Sequence, residues 1–118
     1  MNLNKILYKV LGDTGLPVRQ DEYVDADEHE SYIIFTYEDE RPVAYSNNRP
    51  FADTAYLQVQ LVTPKGFNYF QLKEKIRDLL EGADFSVRSI RSFLGSAYVG
   101  TEKIRQTIFH VEYTQGRR

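Results

Sequence analysis

Ala55-Tyr-Leu-Gln-Val-Gln-Leu-Val62 alternates apolar and polar residues: Ala55, Leu57, Val59 and Leu61 fall on one side, and Tyr56, Gln58 and Gln60 on the other. Successive side chains of a strand point to opposite faces. A period of two therefore reads as a half-buried antiparallel strand, its outer face wet or in an interface. The closing stretch repeats the pattern. From Ile104 to Tyr113, Thr107, Phe109, Val111 and Tyr113 share a face with Arg105, while Ile108, His110 and Glu112 occupy the other. Such faces need a covering layer, and two helices are legible. Leu3, Ile6, Leu7, Val10 and Leu11 lie on one helical stripe, with Asn2 or Asn4 expected to cap it and Gly12 to stop it. After Pro64–Gly66, Tyr69, Leu72, Ile76, Leu79 and Leu80 make a second stripe. Asn68 and Gln71 form its expected capping box, and Gly82 is its stop.

The remaining segments extend the sheet. Val18 to Tyr23 reads as a strand, and Ser31-Tyr-Ile-Ile-Phe-Thr-Tyr37, β-branched and aromatic, as one buried on at least one face. Asp39-Glu-Arg-Pro42 is expected to be a turn, with Val43–Ser46 a short returning strand and Asn47-Asn-Arg-Pro50 the next breaker. Phe85–Phe93 is a further strand, Gly95 and Gly100 bracket a flexible region around Tyr98, and Thr114–Arg118 is expected to fray. The order is helix, strands, helix, strands. It predicts an α+β fold, a mixed or antiparallel β-sheet with two helices packed on one face, as a single domain over residues 1–118.

Composition bounds the function. The chain has 118 residues and a formal charge of −2, which argues against a protein that coats nucleic acid or an anionic membrane. With no cysteine, disulfide scaffolds, thiolate zinc sites and thiol nucleophiles are all excluded. No apolar run approaches the roughly 18 residues a membrane span needs, and Met1–Leu11 lacks a signal-peptide core. A soluble chain made in the cytoplasm, with no membrane partner, is the expectation. Charge is unevenly placed: residues 1–59 carry 11 acids against 5 bases, and residues 60–118 carry 6 against 10. Head-to-tail contact between copies would exploit that split, because heterologous interfaces join two different patches.

Site chemistry is sparse. Asp25, Asp27 and His29, spaced by two, would share one side of a strand, with Glu30 nearby. They lack the glycine and closing glutamate of a calcium loop, and the segment reads as a solvated acidic loop without a metal. His29 and His110 stand far apart in sequence, and no nucleophile elbow or phosphate loop is present. Neither catalytic residues nor a cofactor are assigned. Arg88, Arg91, Lys103 and Arg105, interleaved with Phe93 and Tyr98, allow a stacking-plus-phosphate surface for nucleic acid. The overall acidity and the lack of an aromatic–glycine RNA-binding motif weigh against it.

The ordered pattern of the whole chain resembles the small tail-terminator, or tail-completion, proteins of phages with long non-contractile tails and of their prophage relatives. The residues that carry the likeness are the helix Leu3–Leu11 running into Gly15-Leu-Pro-Val18, then Tyr32-Ile-Ile-Phe-Thr-Tyr37 and the acidic-proline stretch Glu38–Pro42. Tyr45-Ser-Asn47, Gln58-Val-Gln-Leu61 and the closing Gln106-Thr-Ile-Phe-His-Val-Glu-Tyr113 complete it. The resemblance implies a virion protein of the tail or neck, made in the bacterial host, with no catalytic residues. It implies copies assembled as a ring, typically hexameric, on the last ring of tail-tube protein. That ring ends tail polymerisation and meets the head-completion or connector protein. DNA passes through its lumen without specific binding, and an acidic lining would keep phosphates from sticking. The candidate interface or lumen residues are Asp25, Asp27, Glu28, Glu30, Asp39, Glu40, Arg41, Arg88, Arg91 and Arg105. A head-side neck, connector or minor capsid subunit fits the same pattern. A small-molecule or peptide-binding module is the alternative of another class.

Overall fold

The Ala55–Val62 alternation lies inside a much longer strand. In a computed structural model describing residues 1–22, 31–46, 48–96 and 103–116, the elements are α1 (Asn4–Gly12), β1 (Val18–Gln20), β2 (Tyr32–Ser46), β3 (Arg49–Pro64), α2 (Phe70–Gly82), β4 (Ser86–Ser96) and β5 (Lys103–Gly116). The five strands form one sheet in the order β1-β2-β3-β5-β4. Only β1 runs parallel to its neighbour, pairing Val18 with Ile33, and the rest is antiparallel. The fold is α+β, a mixed sheet with both helices on one face.

Alternation decides which face the helices take. Leu57, Val59 and Leu61 of β3 join Ile33 and Phe35 of β2 and Phe109 and Val111 of β5 in one apolar layer. Leu7 and Leu11 of α1 and Ile76 and Leu80 of α2 close over it, all four fully buried. Each such side chain contributes roughly 1.5–3 kcal/mol of burial. The opposite face is largely uncovered, except where Tyr32, Ile34 and Val62 make a small second cluster with Ile104.

Both helices start on an asparagine, but not by the expected route. Leu3 and Tyr69 occupy the cap positions without side-chain caps. Asn2 Oδ1 accepts from the Asn4 N–H at 3.0 Å, and Asn68 Oδ1 from the Phe70 N–H at 3.2 Å. Each asparagine turns the chain one residue upstream of the cap. Gln71 makes no reciprocal bond among the described residues, so the expected capping box is replaced by an asparagine turn.

Three other expectations are corrected. Asp39–Pro42 is not a turn: β2 continues through it to Ser46, and Val43–Ser46 is the same strand, not a returning one. The chain reverses between Ser46 and Arg49, and Asn48 there takes φ 62°, a left-handed conformation asparagine tolerates. Pro42 is accommodated because β1 pairs only with Ile33–Phe35, which leaves the outer edge of β2 open beyond it. Ile33 donates its N–H to the carbonyl of Pro17, the residue just before β1. Counting residues from there across the bulge at Glu38 turns the amide edge of Pro42 outward, where no ladder bond is lost. Residues 114–116 do not fray, because they pair with Ala52–Thr54 of β3, and Thr54 and Thr114 hydroxyls meet at 2.7 Å. β4 likewise runs past Phe93 through Gly95.

Candidate functional site

The polar side chains gather on the sheet face away from the helices, and a bulge sets which of them arrive there. In β2, Tyr37 pairs with Leu57 but Asp39 with Tyr56, so Glu38 is the extra residue and the side-chain phase shifts by one. Before it, Ile33, Phe35 and Tyr37 face the helices. Beyond it, Glu40 takes that side, its Oε1 lying 2.6 Å from the Met1 nitrogen. Asp39 and Arg41 are sent to the open face. A second register shift, between Val87 and Ser89 of β4, places Arg88 against β5.

The result is a row of paired charges. Arg41 Nε donates to Asp39 Oδ2 at 2.7 Å, Arg88 Nη2 to Glu112 Oε2 at 2.7 Å, and His110 Nδ1 lies 3.3 Å from Glu38 Oε1. The Arg41 guanidinium also stands 5.5 Å from the centre of the Tyr56 ring. These residues, with Leu57 and Val111, line an open depression of about 440 Å³. The hydrogen bond from Arg41, helped by one from the Glu40 backbone N–H, holds the Asp39 carboxyl below the usual carboxylate range and raises Arg41. The bond to Glu112 raises Arg88 in the same way. All of these groups face solvent, so salt screens them.

Among the described residues no group of three or more acidic or histidine side chains gathers as a metal site. What the arrangement supplies is a shallow, open surface of mutually neutralised charge. Such a surface is desolvated at lower cost than a field of one sign, which suits contact with another macromolecule.

Of the sequence-predicted residues, Asp39, Arg41 and Arg88 meet in this depression. Glu40 lies on the other face, and Arg91 is exposed on β4 further along. Arg105 is far from the depression and on the helix side, 4.8 Å from the Tyr69 ring centre and bonded to Ser92 Oγ at 3.1 Å. Asp25, Asp27, Glu28 and Glu30 lie outside the described residues, as does Tyr98. Sequence reasoning did not name Glu38, Tyr56, His110 or Glu112 as site residues. Alternation had put the last three on the outer face, but their pairing depends on two bulges that period-two patterns do not reveal.

A scan against protein-family models and a search of the curated proteins each found no match. Among solved structures, 20 chains match. One of them is 16% identical, over 98% of this chain and 95% of that one, with a TM-score of 0.49, a likeness too distant to carry an argument about function.

Proposed function

We propose that the chain is a structural protein of a phage or prophage, its copies forming a ring that caps the tail tube, ends tail polymerisation and offers the surface that joins the head. The observation that supports this best is the shape of the sheet. β3 is paired on both sides from Ala52 to Val62, yet the helices cover only its Ala55–Leu61 part and leave Phe51, on the same face of the arm Arg49–Thr54, exposed. A radius of gyration of 15.8 Å exceeds the roughly 13–14 Å of a compact chain this long. Elongated subunits with bare sheet surfaces are suited to assembly, and the paired charges of the open face suit polar contact.

In this reading the ring meets tail-tube protein on one side and a connector protein on the other, and DNA passes through without specific binding. Native mass measured over a wide concentration range, followed by negative-stain imaging, tests it. A closed ring of about six subunits is the expected outcome for a heterologous interface whose rotation closes. A strict monomer that purified tail tubes fail to capture would sink the proposal and favour a binding module. Capture by head connectors instead of tail tubes would reassign it to the head-side neck.

A further inference from the structure

Fixed charges alone do not balance the row on the open face. The depression holds three carboxylates, Glu38 and Asp39 of β2 and Glu112 of β5, against two guanidiniums, Arg41 of β2 and Arg88 of β4. Arg41 takes Asp39 and Arg88 takes Glu112, each at 2.7 Å. Tyr56, the contribution of β3, lends its ring to Arg41. Glu38 is left over, and among the described residues its one counter-ion is His110.

Histidine is the side chain that ordinarily gains and loses its charge between about pH 5 and pH 8. With both ring nitrogens protonated, Nδ1 is always a donor and the contact with Glu38 is an ion pair. With one proton gone, Nδ1 donates in only one of the two tautomers, and the charge on Glu38 stays uncompensated.

The place of the pair in the sheet gives that proton leverage. β2 and β5 are not neighbours, because β3 runs between them. His110 stands opposite Gln58 of β3 and reaches past that strand to Glu38. Glu38 is the extra residue of the bulge, the one that sends Asp39 and Arg41 to the open face. A hold on Glu38 is a hold on the residue that sets the phase of the row.

We infer that His110 is a proton-operated clasp. Protonated, it closes on Glu38 across β3 and brings the row to neutrality. Deprotonated, it loosens and leaves the row with one acid in excess. Acidification therefore changes both the charge of this face and how firmly its bulge is held. Both side chains reach solvent, so the proton comes and goes freely and salt weakens the pair. The inference concerns the chain by itself and stands apart from the ring reading.

Amide NMR spectra recorded from about pH 8 down to pH 5 test the clasp, with the His110 ring followed in parallel. In the parent, the Glu38 and Asp39 amides are expected to move with the same midpoint as the ring, although they lie two strands away. In His110→Gln that movement should be lost, while the amides of Leu7, Ile33 and Leu80 keep their positions and report an intact fold. Glu38→Gln keeps an acceptor but no charge, and there the Asp39 response should shrink. Amides at Glu38 and Asp39 that stay still while the ring titrates would overturn the clasp. A full response in either variant would overturn it too, since the movement would then come from another group, His29 being the only other histidine.

Discussion

The two halves of β3 are one strand in two environments. Ala55–Leu61 and Ala52–Thr54 are both paired on both sides with β2 and β5, while Arg49 and Pro50 pair with β2. Under the helices, Leu57, Val59 and Leu61 are fully buried. Four residues earlier than Ala55 on the same face, Phe51 is half exposed. The difference teaches that hydrogen bonding alone does not make a core. The covered half is stable because a second layer excludes water from it, and Phe51 stays available because no such layer reaches it.

Substitutions test this contrast, beginning with the largest effect. Phe109→Ala, in the covered layer, should lower stability in urea by about 3–5 kcal/mol, the usual cost of emptying a core aromatic. Phe51→Ser should stay within about 0.5 kcal/mol of the parent. If both cost the same, the arm is part of the core and the contrast fails. Next comes the seam where α1 joins the sheet. The Tyr37 hydroxyl accepts from the Leu3 N–H at 2.8 Å and donates to Asn4 Oδ1 at 2.6 Å. Tyr37→Phe leaves both partly buried groups unpaired, for an expected loss of about 1–2 kcal/mol. No loss on denaturant unfolding would mean the seam carries little.

Thr63 offers a test in the opposite direction. It is fully buried, and among the described residues its hydroxyl has no partner. Thr63→Val keeps the shape and removes a desolvated polar group, so a gain of about 1 kcal/mol is expected. A loss would reveal a bond the geometry does not show.

The smallest effect is in pH, where the two faces of β2, opposite Leu57 and Tyr56, should respond at opposite ends of the scale. Burial raises the Tyr37 pKa above its ordinary value near 10, so the unfolded chain ionises first. Stability is therefore lost as pH rises beyond about 10, and Tyr37→Phe should flatten that limb. Asp39 is shifted down by Arg41, so its contribution is present above about pH 4 and lost as pH falls through the folded value. Asp39→Asn should reduce the acid limb slightly and leave the alkaline limb alone. A changed alkaline limb would couple the two faces of the sheet.

The covered half was the legible one. Leu3, Leu7, Leu11, Ile76 and Leu80 on helical stripes, with Leu57, Val59 and Phe109 on alternating ones, announce a two-layer fold because burial imposes those periods. The arm was not legible. Asp39 and Pro42 are turn residues by local preference, and only the partner strand, Thr54 opposite Arg41 and Asp53 opposite Pro42, keeps them extended. The same holds for Thr114–Gly116, a polar tail until β3 pairs with it. The charge row was half legible: alternation assigned Tyr56, His110 and Glu112 to the outer face. Their partners Glu38 and Arg88 depend on bulges, which are set by register between distant strands.

Pro42, with its amide edge turned outward on the uncovered stretch of β2, limits what the arm can become. An open strand edge is a template on which further chains can add without end, the route to fibrils. A residue that donates no hydrogen bond interrupts that template in the middle of the arm. The arm can therefore be presented to a neighbour through its side chains while its backbone resists runaway strand growth, so an exposed β-arm is compatible with staying in solution.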